Sequence, residues 1–361
     1  MITEKDVLKA LLNVEDPDLK KDIVTLGMVR NIQIDGLKVS FTVVLTTPAC
    51  PMKDAIQRAC VNAVILLVNK DADVHVTMSS EVTSARAKDA VMPGVKNIIA
   101  VASGKGGVGK STIAVNLALA LRMQGARVGL LDGDIYGPSI PLMLGLEDAK
   151  PTVEEEGGQH KMQPIEKYGV KILSIGFLVD RLQPVVWRGP MVSSAIRQFV
   201  NDVNWGELDY LIIDLPPGTG DVHITIAQMA NINGIVMVTT PQEVSMSDCR
   251  KAVNMFRMQG VSVPVLGVVE NMAYFVPKEM PDNKYYLFGK DGGKKMAAEF
   301  QLNFLGEVPI YQSIQQGGDS GTPAVLGDGP DALALQQIAK NVAQQVAMLN
   351  ASKENATAVN Q

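Results

Sequence analysis

The sequence predicts an α/β fold in which a doubly wound, mostly parallel sheet is preceded by a small α+β domain. Three observations support this prediction. From residue 96 onward, short apolar runs alternate with helical patterns, as is typical of parallel strands covered by helices. A glycine-rich loop, Gly104–Ser111, joins the first apolar run to a helix. Residues 1–80 follow a different order, and 361 residues are enough for two domains.

The first 80 residues carry the signals of a helix, a hairpin, a second helix and a strand. Thr3 is a suitable N-cap for an amphipathic helix, and Asp35-Gly36 is a strong hairpin turn signal. The predicted elements are the helix 3–12, the strands 28–34 and 38–45, the helix 52–68 and the strand 73–78. A polar stretch that ends in Pro93-Gly94 predicts a linker over residues 81–95.

The larger domain is predicted over residues 96–348. Its strands are expected at 97–102, 127–131, 171–175, 210–215, 234–239, 264–269 and 304–308, with helices between them. A helix is predicted from Thr112 to Met123 and a last one from about Asp331 to Met348. Residues 349–361 are polar and rich in Asn and Ala, so we expect a disordered tail there.

Composition narrows the class of protein. The chain has 33 basic and 38 acidic residues, a balance that does not favour a nucleic acid or an anionic membrane as partner. No apolar run approaches the length of a membrane-spanning helix, and the N-terminus lacks the pattern of a secretory signal. We therefore expect a cytoplasmic protein whose three cysteines form no disulfide framework.

The glycine-rich loop fits the pattern G-x-x-x-x-G-K-[ST] of a phosphate-binding loop. Backbone N–H groups of such a loop surround phosphate oxygens, the last lysine neutralises them and the hydroxyl holds Mg²⁺. The sequence therefore predicts a P-loop NTPase fold that binds a nucleotide and Mg²⁺, and a plain glycine-rich turn is the alternative. The predicted binding residues are Gly104, Lys105, Gly106, Gly107, Val108, Gly109, Lys110, Ser111 and Thr112.

The loop contains a second lysine, Lys105. Its position makes it hard to fold back onto phosphates bound by its own loop, so we predict that it reaches across a dimer interface to a partner's nucleotide. This arrangement resembles the deviant P-loop ATPases, the group of MinD, ParA and the nitrogenase iron protein. A solvated surface lysine is the alternative, since most lysines are exposed.

Acidic residues follow two predicted strands, at the sheet edge where ligands sit in doubly wound folds. Of Asp132 and Asp134, one is suited to orient an attacking water and the other to shape the Mg²⁺ shell, and we assign the water to Asp134. Capping of the following turn is the alternative for both. Asp214 ends an apolar strand in the usual Walker B form, so Asp214 and Ser111 are predicted to hold Mg²⁺.

Three further residues complete the predicted nucleotide site. Gly218, after two prolines, is placed to offer its N–H to the γ-phosphate and to move away on hydrolysis, as switch segments do. A tight strand-to-helix loop is the alternative at that position. Asn271 and Pro309 follow late strands, where Asn271 is suited to read the adenine edge and Pro309 to pack on the adenine face.

With these motifs the chain resembles the Mrp/ApbC family, iron–sulfur cluster carrier ATPases within the deviant P-loop group. The likeness rests on residues 104–112, 132–139, 187–191, 214–221 and 270–272. Residues 1–80, with the run Thr47-Pro48-Ala49-Cys50-Pro51, resemble the SufT/PaaD type of small domain. The resemblance implies ATP binding and hydrolysis, a nucleotide-bridged homodimer, and delivery of Fe–S clusters to apoproteins beside the cluster assembly machinery.

One departure from the family concerns the cluster ligands. The Cys-x-x-Cys pair that usually follows the Glu-Asn-Met segment is absent, because no cysteine follows Cys249. Fe–S clusters need thiolate or, occasionally, histidine ligands. Cys50 is the remaining candidate, since it lies at a helix start where the macrodipole favours thiolate, and a packed turn cysteine is the alternative. Cys60, inside an apolar helix, is predicted to lie in the core.

The main functional hypothesis is a slow, switch-like ATPase that binds Fe–S clusters as a homodimer and transfers them to apoproteins. Hydrolysis is predicted to use Lys105, Lys110, Asp134 and Asp214. The alternatives are a ParA/MinD-type positioning ATPase, an assembly adaptor that binds no cluster itself, and a small-molecule kinase or ligase. A positioning ATPase needs a basic amphipathic C-terminal helix to bind a membrane or a basic patch to bind DNA. The composition favours neither.

Overall fold

A computed structural model of the chain describes residues 2–86, 91–156, 158–179, 189–277, 279–280 and 282–359. The chain divides into two compact units. The small unit comprises Met1–Ala85 and Ala343–Gln361, and the large unit comprises Arg86–Val342. Residues 187–188 of the 187–191 motif and residues 360–361 of the predicted tail lie outside the described residues.

The small unit has the predicted order of helix, hairpin, helix and strand, with two very short strands added. Its elements are α1 (Glu4–Leu11), β1 (Glu15–Asp16), β2 (Lys21–Asp22), β3 (Val29–Asp35), β4 (Lys38–Leu45), α2 (Lys53–Leu67) and β5 (Asp73–Ser80). Thr3 caps α1, because its hydroxyl accepts a hydrogen bond from the backbone N–H of Asp6 while the Asp6 carboxylate accepts one in return.

The sheet of the small unit has the order β3-β4-β5, with β3 antiparallel and β5 parallel to β4. Alternate residues of β4 are buried, so one sheet face meets the helices, and α2 lies against β5. Phe41, Val43 and Leu45 form the core there with Ile56 and Cys60 of α2. The prediction that Cys60 lies in the core is confirmed.

The large unit is built around an eight-stranded sheet. Its elements are β6 (Ile98–Ala102), α3 (Lys110–Met123), β7 (Val128–Asp132), α4 (Ile140–Met143), β8 (Thr152–Glu156), β9 (Gln159–Gln163), β10 (Ile165–Lys167), β11 (Val170–Ser174), α5 (Gly189–Asn201), β12 (Tyr210–Asp214), α6 (Asp221–Ala230), β13 (Gly234–Thr239), α7 (Glu243–Arg257), β14 (Val265–Phe275), α8 (Gly292–Glu299), β15 (Phe304–Ile310), α9 (Gln312–Ser320) and the first part of α10 (Pro330–Val359), whose last part belongs to the small unit. The strand order is β10-β11-β7-β12-β6-β13-β14-β15, and only β10 runs antiparallel to its neighbour.

This topology brings the motifs to one edge of the sheet. Every residue of β6, β7, β12 and β13 is buried, because helices cover both faces of a parallel sheet. β6, which feeds the glycine-rich loop, lies between β12 and β13. Asp214 at the end of β12 pairs in register with Asp132 at the end of β7, so the acidic strand ends lie beside the loop.

Two parts of the fold differ from expectation. The hairpin of β8 and β9 was not predicted, because the run 152–156 is rich in glutamate, a residue depleted in strands. The tail 349–361 was predicted to be disordered, yet α10 continues through Val359. No glycine or proline follows Pro330 to stop the helix, and the Asn350 amide donates to the Thr83 carbonyl at 3.0 Å. None of the helices in the described ranges is long and apolar enough to cross a membrane.

Candidate nucleotide site

The glycine-rich loop turns sharply between β6 and α3. Gly109 is the N-cap residue of α3 and has φ +82°, a conformation that side chains rarely adopt. A Cβ at Gly109 would also run into the amide nitrogen of Asn271. That amide donates a hydrogen bond to the Val108 carbonyl at 2.8 Å, so Asn271, which lies within β14 rather than after a strand, fixes the loop.

Lys110 begins α3 and turns its side chain inward, where it is only 6% exposed. Its Nζ lies 2.7 Å from Oδ1 of Asp214, 3.6 Å from Oδ2 of Asp134 and 3.3 Å from Oγ of Ser111. The structure thus brings together four residues that the sequence assigned to one site from three separate motifs.

The second carboxylate oxygen of Asp214, Oδ2, is buried and meets no hydrogen-bond donor in the part of the chain that the structure describes. Burial raises the pKa of Asp214, although the nearby Lys110 ammonium lowers it. This Oδ2 oxygen and the Ser111 hydroxyl, which lies near the Asp214 carboxylate, are hard oxygen donors of the kind that Mg²⁺ prefers, so these residues fit the ion.

Asp132 fills the capping role that the sequence left open. Its two oxygens accept hydrogen bonds from the Ser174 hydroxyl at 2.9 Å and from the backbone N–H groups of Asp134 at 3.2 Å and Ile140 at 3.4 Å. Burial, together with the neighbouring Asp214, raises the pKa of Asp132 to about 8. Asp132 therefore holds in place the loop that presents Asp134.

A cavity of about 710 Å³ opens beside the loop. Of the predicted site residues, its walls include Lys105, Gly106, Gly107, Gly109, Lys110, Ser111, Thr112, Asp134, Asn271 and Pro309. Gly104, Val108, Asp214 and Gly218 lie outside this lining. The polar loop thus occupies one part of a cavity large enough for a nucleotide.

The rest of the cavity wall is largely apolar and was missed by sequence reasoning. It includes Leu142 and Met143 of α4, Phe288, Tyr311 and Ile314. Tyr311 directly follows β15, so the rule that ligands sit at strand ends would have found it. No such signal marks α4 and Phe288, because only the packing of distant segments places them at the cavity.

Two groups predicted to touch the nucleotide are bonded to protein in this structure. The Gly218 N–H donates to the Ser103 carbonyl at 3.0 Å, and the Asn271 amide is used by the loop as described. Lys105 is exposed at the cavity mouth, and its ammonium makes no ion pair with any residue in the described ranges.

The cysteines do not gather into a metal site. Cys50 is half-buried before α2, and although backbone N–H groups of Met52 and Lys53 face its sulfur, burial together with Asp18 and Asp16 raises its pKa. The expectation that the helix start favours thiolate at Cys50 is therefore wrong. Cys249 is buried, which raises its pKa to about 12. The described residues contain no group of three or more His, Cys, Asp or Glu side chains placed to hold a metal ion.

The lysine of the phosphate-binding loop meets Asp214 at the end of β12 and Asp134 in the loop after β7, and this arrangement on a parallel sheet defines the large unit as a P-loop NTPase. Residues 94–347 match the family described as NUBPL iron-transfer P-loop NTPase. Residues 4–78 match a family described as iron-sulfur cluster assembly protein. The chain belongs to the NUBPL iron-transfer P-loop NTPase family, and the resemblance to the carrier ATPases is confirmed.

Individual relatives agree with this assignment. An iron-sulfur cluster carrier protein of Synechocystis sp. is 48% identical over 96% of this chain and 99% of its own length. A protein of the same name from Deinococcus radiodurans is 46% identical over 96% of this chain and 97% of its own length. A solved nucleotide-binding protein from Archaeoglobus fulgidus, in complex with ADP, is 40% identical with a TM-score of 0.58, over 67% of this chain and 93% of that chain.

Replacing Asn271 with alanine is expected to weaken nucleotide binding about tenfold, because the loop loses the bond that fixes Val108. Leaving the Val108 carbonyl without its donor should also lower the free energy of unfolding by about 1 kcal/mol. Titration of a fluorescent ADP analogue and thermal unfolding measure both effects. Asn201→Ala, at an exposed position, is the matched control, and wild-type ADP affinity in Asn271→Ala would contradict the assigned contact.

Proposed function

We propose that the protein is an ATP-hydrolysing switch that carries Fe–S clusters to apoproteins. The proposal of ATPase activity rests on the position of the Lys110 ammonium at the end of the phosphate-binding loop. It lies 2.7 Å from Asp214 and 3.6 Å from Asp134. A buried cation between carboxylates is poised to exchange one of them for phosphate oxygens when ATP enters. Pro309 and Asn271, at the same cavity, are proposed to contact the adenine.

The proposed hydrolysis is in-line attack by water on the γ-phosphate. Lys110 and the loop N–H groups stabilise the charge that develops on the phosphate oxygens. Asp214 and Ser111 would hold Mg²⁺, which when bound neutralises charge on the β- and γ-phosphates. Asp134 orients the water, and burial raises its pKa. Slow turnover is expected, since no strong base lies among the described residues that line the site.

Gly218 is the proposed sensor of the γ-phosphate. Its N–H is bonded to Ser103 in this structure, so contact with the phosphate requires the loop 216–220 to move. Lys105 is proposed to enter the site of a second copy, which would make the homodimer depend on ATP. The cytoplasmic location and the lack of membrane or nucleic-acid partners stay predictions.

The cargo is inferred from the relatives that are named cluster carriers and from the match of residues 4–78 to an assembly family. Clusters need thiolate or, occasionally, histidine ligands, and of the three cysteines, all within the described ranges, Cys50 is half-buried whereas Cys60 and Cys249 are buried. We therefore propose that Cys50 residues of two copies supply ligands to the cluster, and that apo Fe–S proteins receive it. An assembly adaptor that binds no cluster is the second candidate, favoured by the dispersed cysteines and the raised pKa of Cys50.

Anaerobic reconstitution with iron and sulfide tests the carrier function. The wild type is expected to gain the visible absorption of an Fe–S cluster and to pass it to an apo-ferredoxin. Cys50→Ala should lose this absorption, whereas Cys60→Ala, a matched change in the same unit, should retain it. A wild type that takes up no cluster would leave the adaptor as the better account. Equal uptake by Cys50→Ala and wild type would refute the ligand assignment alone.

A further inference from the structure

His223 is a buried histidine whose two ring nitrogens both face backbone carbonyls. It lies in the first turn of α6 and is 2% exposed. Its Nε2 is 2.8 Å from the Pro216 carbonyl oxygen, and its Nδ1 is 3.1 Å from the Gly220 carbonyl oxygen. Phe256 of α7 meets the ring edge-on, with 6.5 Å between the ring centroids. The imidazole thus joins the two ends of the loop 216–220.

That loop is the proposed sensor of the γ-phosphate. Pro216 is buried, whereas Pro217, Thr219 and Gly220 are exposed. The Gly218 N–H donates to Ser103 at 3.0 Å, so Gly218 must leave this bond before its N–H can meet a phosphate. A loop that moves between two fixed ends returns to one defined geometry, whereas a loop with a free end does not.

Burial lowers the pKa of His223, which favours the neutral ring with one N–H. The shorter contact, to Pro216, is the better hydrogen bond for that single donor. Pro216 and Pro217 have no backbone N–H, so this stretch of the loop has few other ways to be held. His223 is buried and absent from the lining of the nucleotide cavity, and both of its ring nitrogens face carbonyls of the loop 216–220, so we place its effect on that loop.

We propose that His223 is a positioning residue of the nucleotide switch: it fixes the carbonyl of Pro216 and so confines nucleotide-driven movement to Pro217, Gly218 and Thr219. This inference rests on the proposed ATPase function. Its consequence is a split between binding and turnover. ADP binding, which needs no γ-phosphate contact, should be independent of His223, whereas hydrolysis should depend on it.

Three substitutions distinguish the two carbonyl contacts. His223→Leu has similar volume and no donor. The amide nitrogen of Gln is about as far from Cα as Nε2, and that of Asn about as far as Nδ1, so His223→Gln retains a donor for Pro216 and His223→Asn one for Gly220. His160→Leu, on the exposed hairpin strand β9, is the control for removing a histidine.

We expect His223→Leu and His223→Asn to lower kcat about tenfold with KM changed less than about twofold, and His223→Gln to recover most of the rate. Without nucleotide, hydrogen exchange at the Gly218 amide should be faster in the Leu and Asn variants than in wild type and the Gln variant. This second readout does not require hydrolysis, so a wild type without ATPase activity would refute the proposed function while exchange still tests the inference.

Two results would overturn the role of His223. One is wild-type kcat and wild-type exchange at Gly218 in His223→Leu. The other is a parallel loss of ADP binding and thermal stability in all three variants, because that pattern marks a residue needed only for folding. Measuring ADP affinity and melting temperature beside kcat separates these cases from the expected one.

Discussion

Lys110→Met is expected to reduce ATP hydrolysis at least about 100-fold, because it removes the cation that would stabilise charge on the transferred phosphate. Methionine keeps the length and the apolar stem of the side chain, so the loss can be assigned to the charge. Steady-state phosphate release measures the effect, and fluorescent ADP binding shows whether affinity falls with it. Arg122→Met, on the same helix and outside the cavity, is the matched control.

The same substitution should make stability strongly dependent on pH. Burial raises the pKa values of Asp132, Asp134 and Asp214 above the value of 3.8 that they have when exposed, and that of Asp132 reaches about 8. Between pH 3.8 and about pH 8 the folded chain holds more protons on these carboxyl groups than the unfolded chain does. The free energy of unfolding therefore falls as the pH rises through this range. Lys110 offsets this loss of stability, because its ammonium pairs with the ionised carboxylates of Asp134 and Asp214.

Without the ammonium, the carboxylates keep their protons or remain buried and unpaired. We expect Lys110→Met to unfold close to the wild-type temperature near pH 5 and to lose about 3 kcal/mol relative to wild type near pH 8. Thermal unfolding of both proteins at the two pH values measures this. A destabilisation of the same size at both pH values would show that packing, rather than charge, explains the role of Lys110.

Lys105→Ala is expected to lower hydrolysis about 100-fold while leaving ADP binding to the single chain intact. The reason is that an exposed lysine without an ion pair among the described residues can act on a partner's nucleotide, as a finger supplied in trans does. Gel filtration with light scattering in a non-hydrolysable ATP analogue and Mg²⁺ should show a dimer for wild type and a monomer for the variant.

A mixing experiment decides between action in trans and action in cis. Lys105→Ala has an intact Asp134, and Asp134→Asn has an intact Lys105, so each supplies what the other lacks. If Lys105 acts in trans, a heterodimer contains one complete site, so an equal mixture should regain hydrolysis that neither variant shows alone. Subunits that paired at random would give about a quarter of the wild-type rate. A mixture as inactive as its components would refute the trans role and return Lys105 to a solvated surface position.

Local sequence patterns predicted most of the large unit correctly. The runs that became β6, β7, β12 and β13 are apolar throughout, and this composition is sufficient because parallel strands are buried on both faces. The strand β8 was missed for the opposite reason, since residues 152–155 are exposed and the strand pairs with β9 in a hairpin. The tail was misjudged because polar composition alone does not separate a disordered segment from the last turns of a helix.

Sequence alone predicts the phosphate-binding loop, its strand and helix, and the aspartates at or just after the ends of β7 and β12, because each is a contiguous motif whose chemistry depends on spacing along the chain. The effect of these groups on one another depends on how the chain packs. Strand order places Asp132 beside Asp214, and burial then raises the pKa values of both. Likewise, burial overrides the helix dipole at Cys50, and His223 meets Pro216 only through the folded loop. Distances between residues far apart in sequence, and the solvent that folding removes, are set by packing, so no local pattern records them.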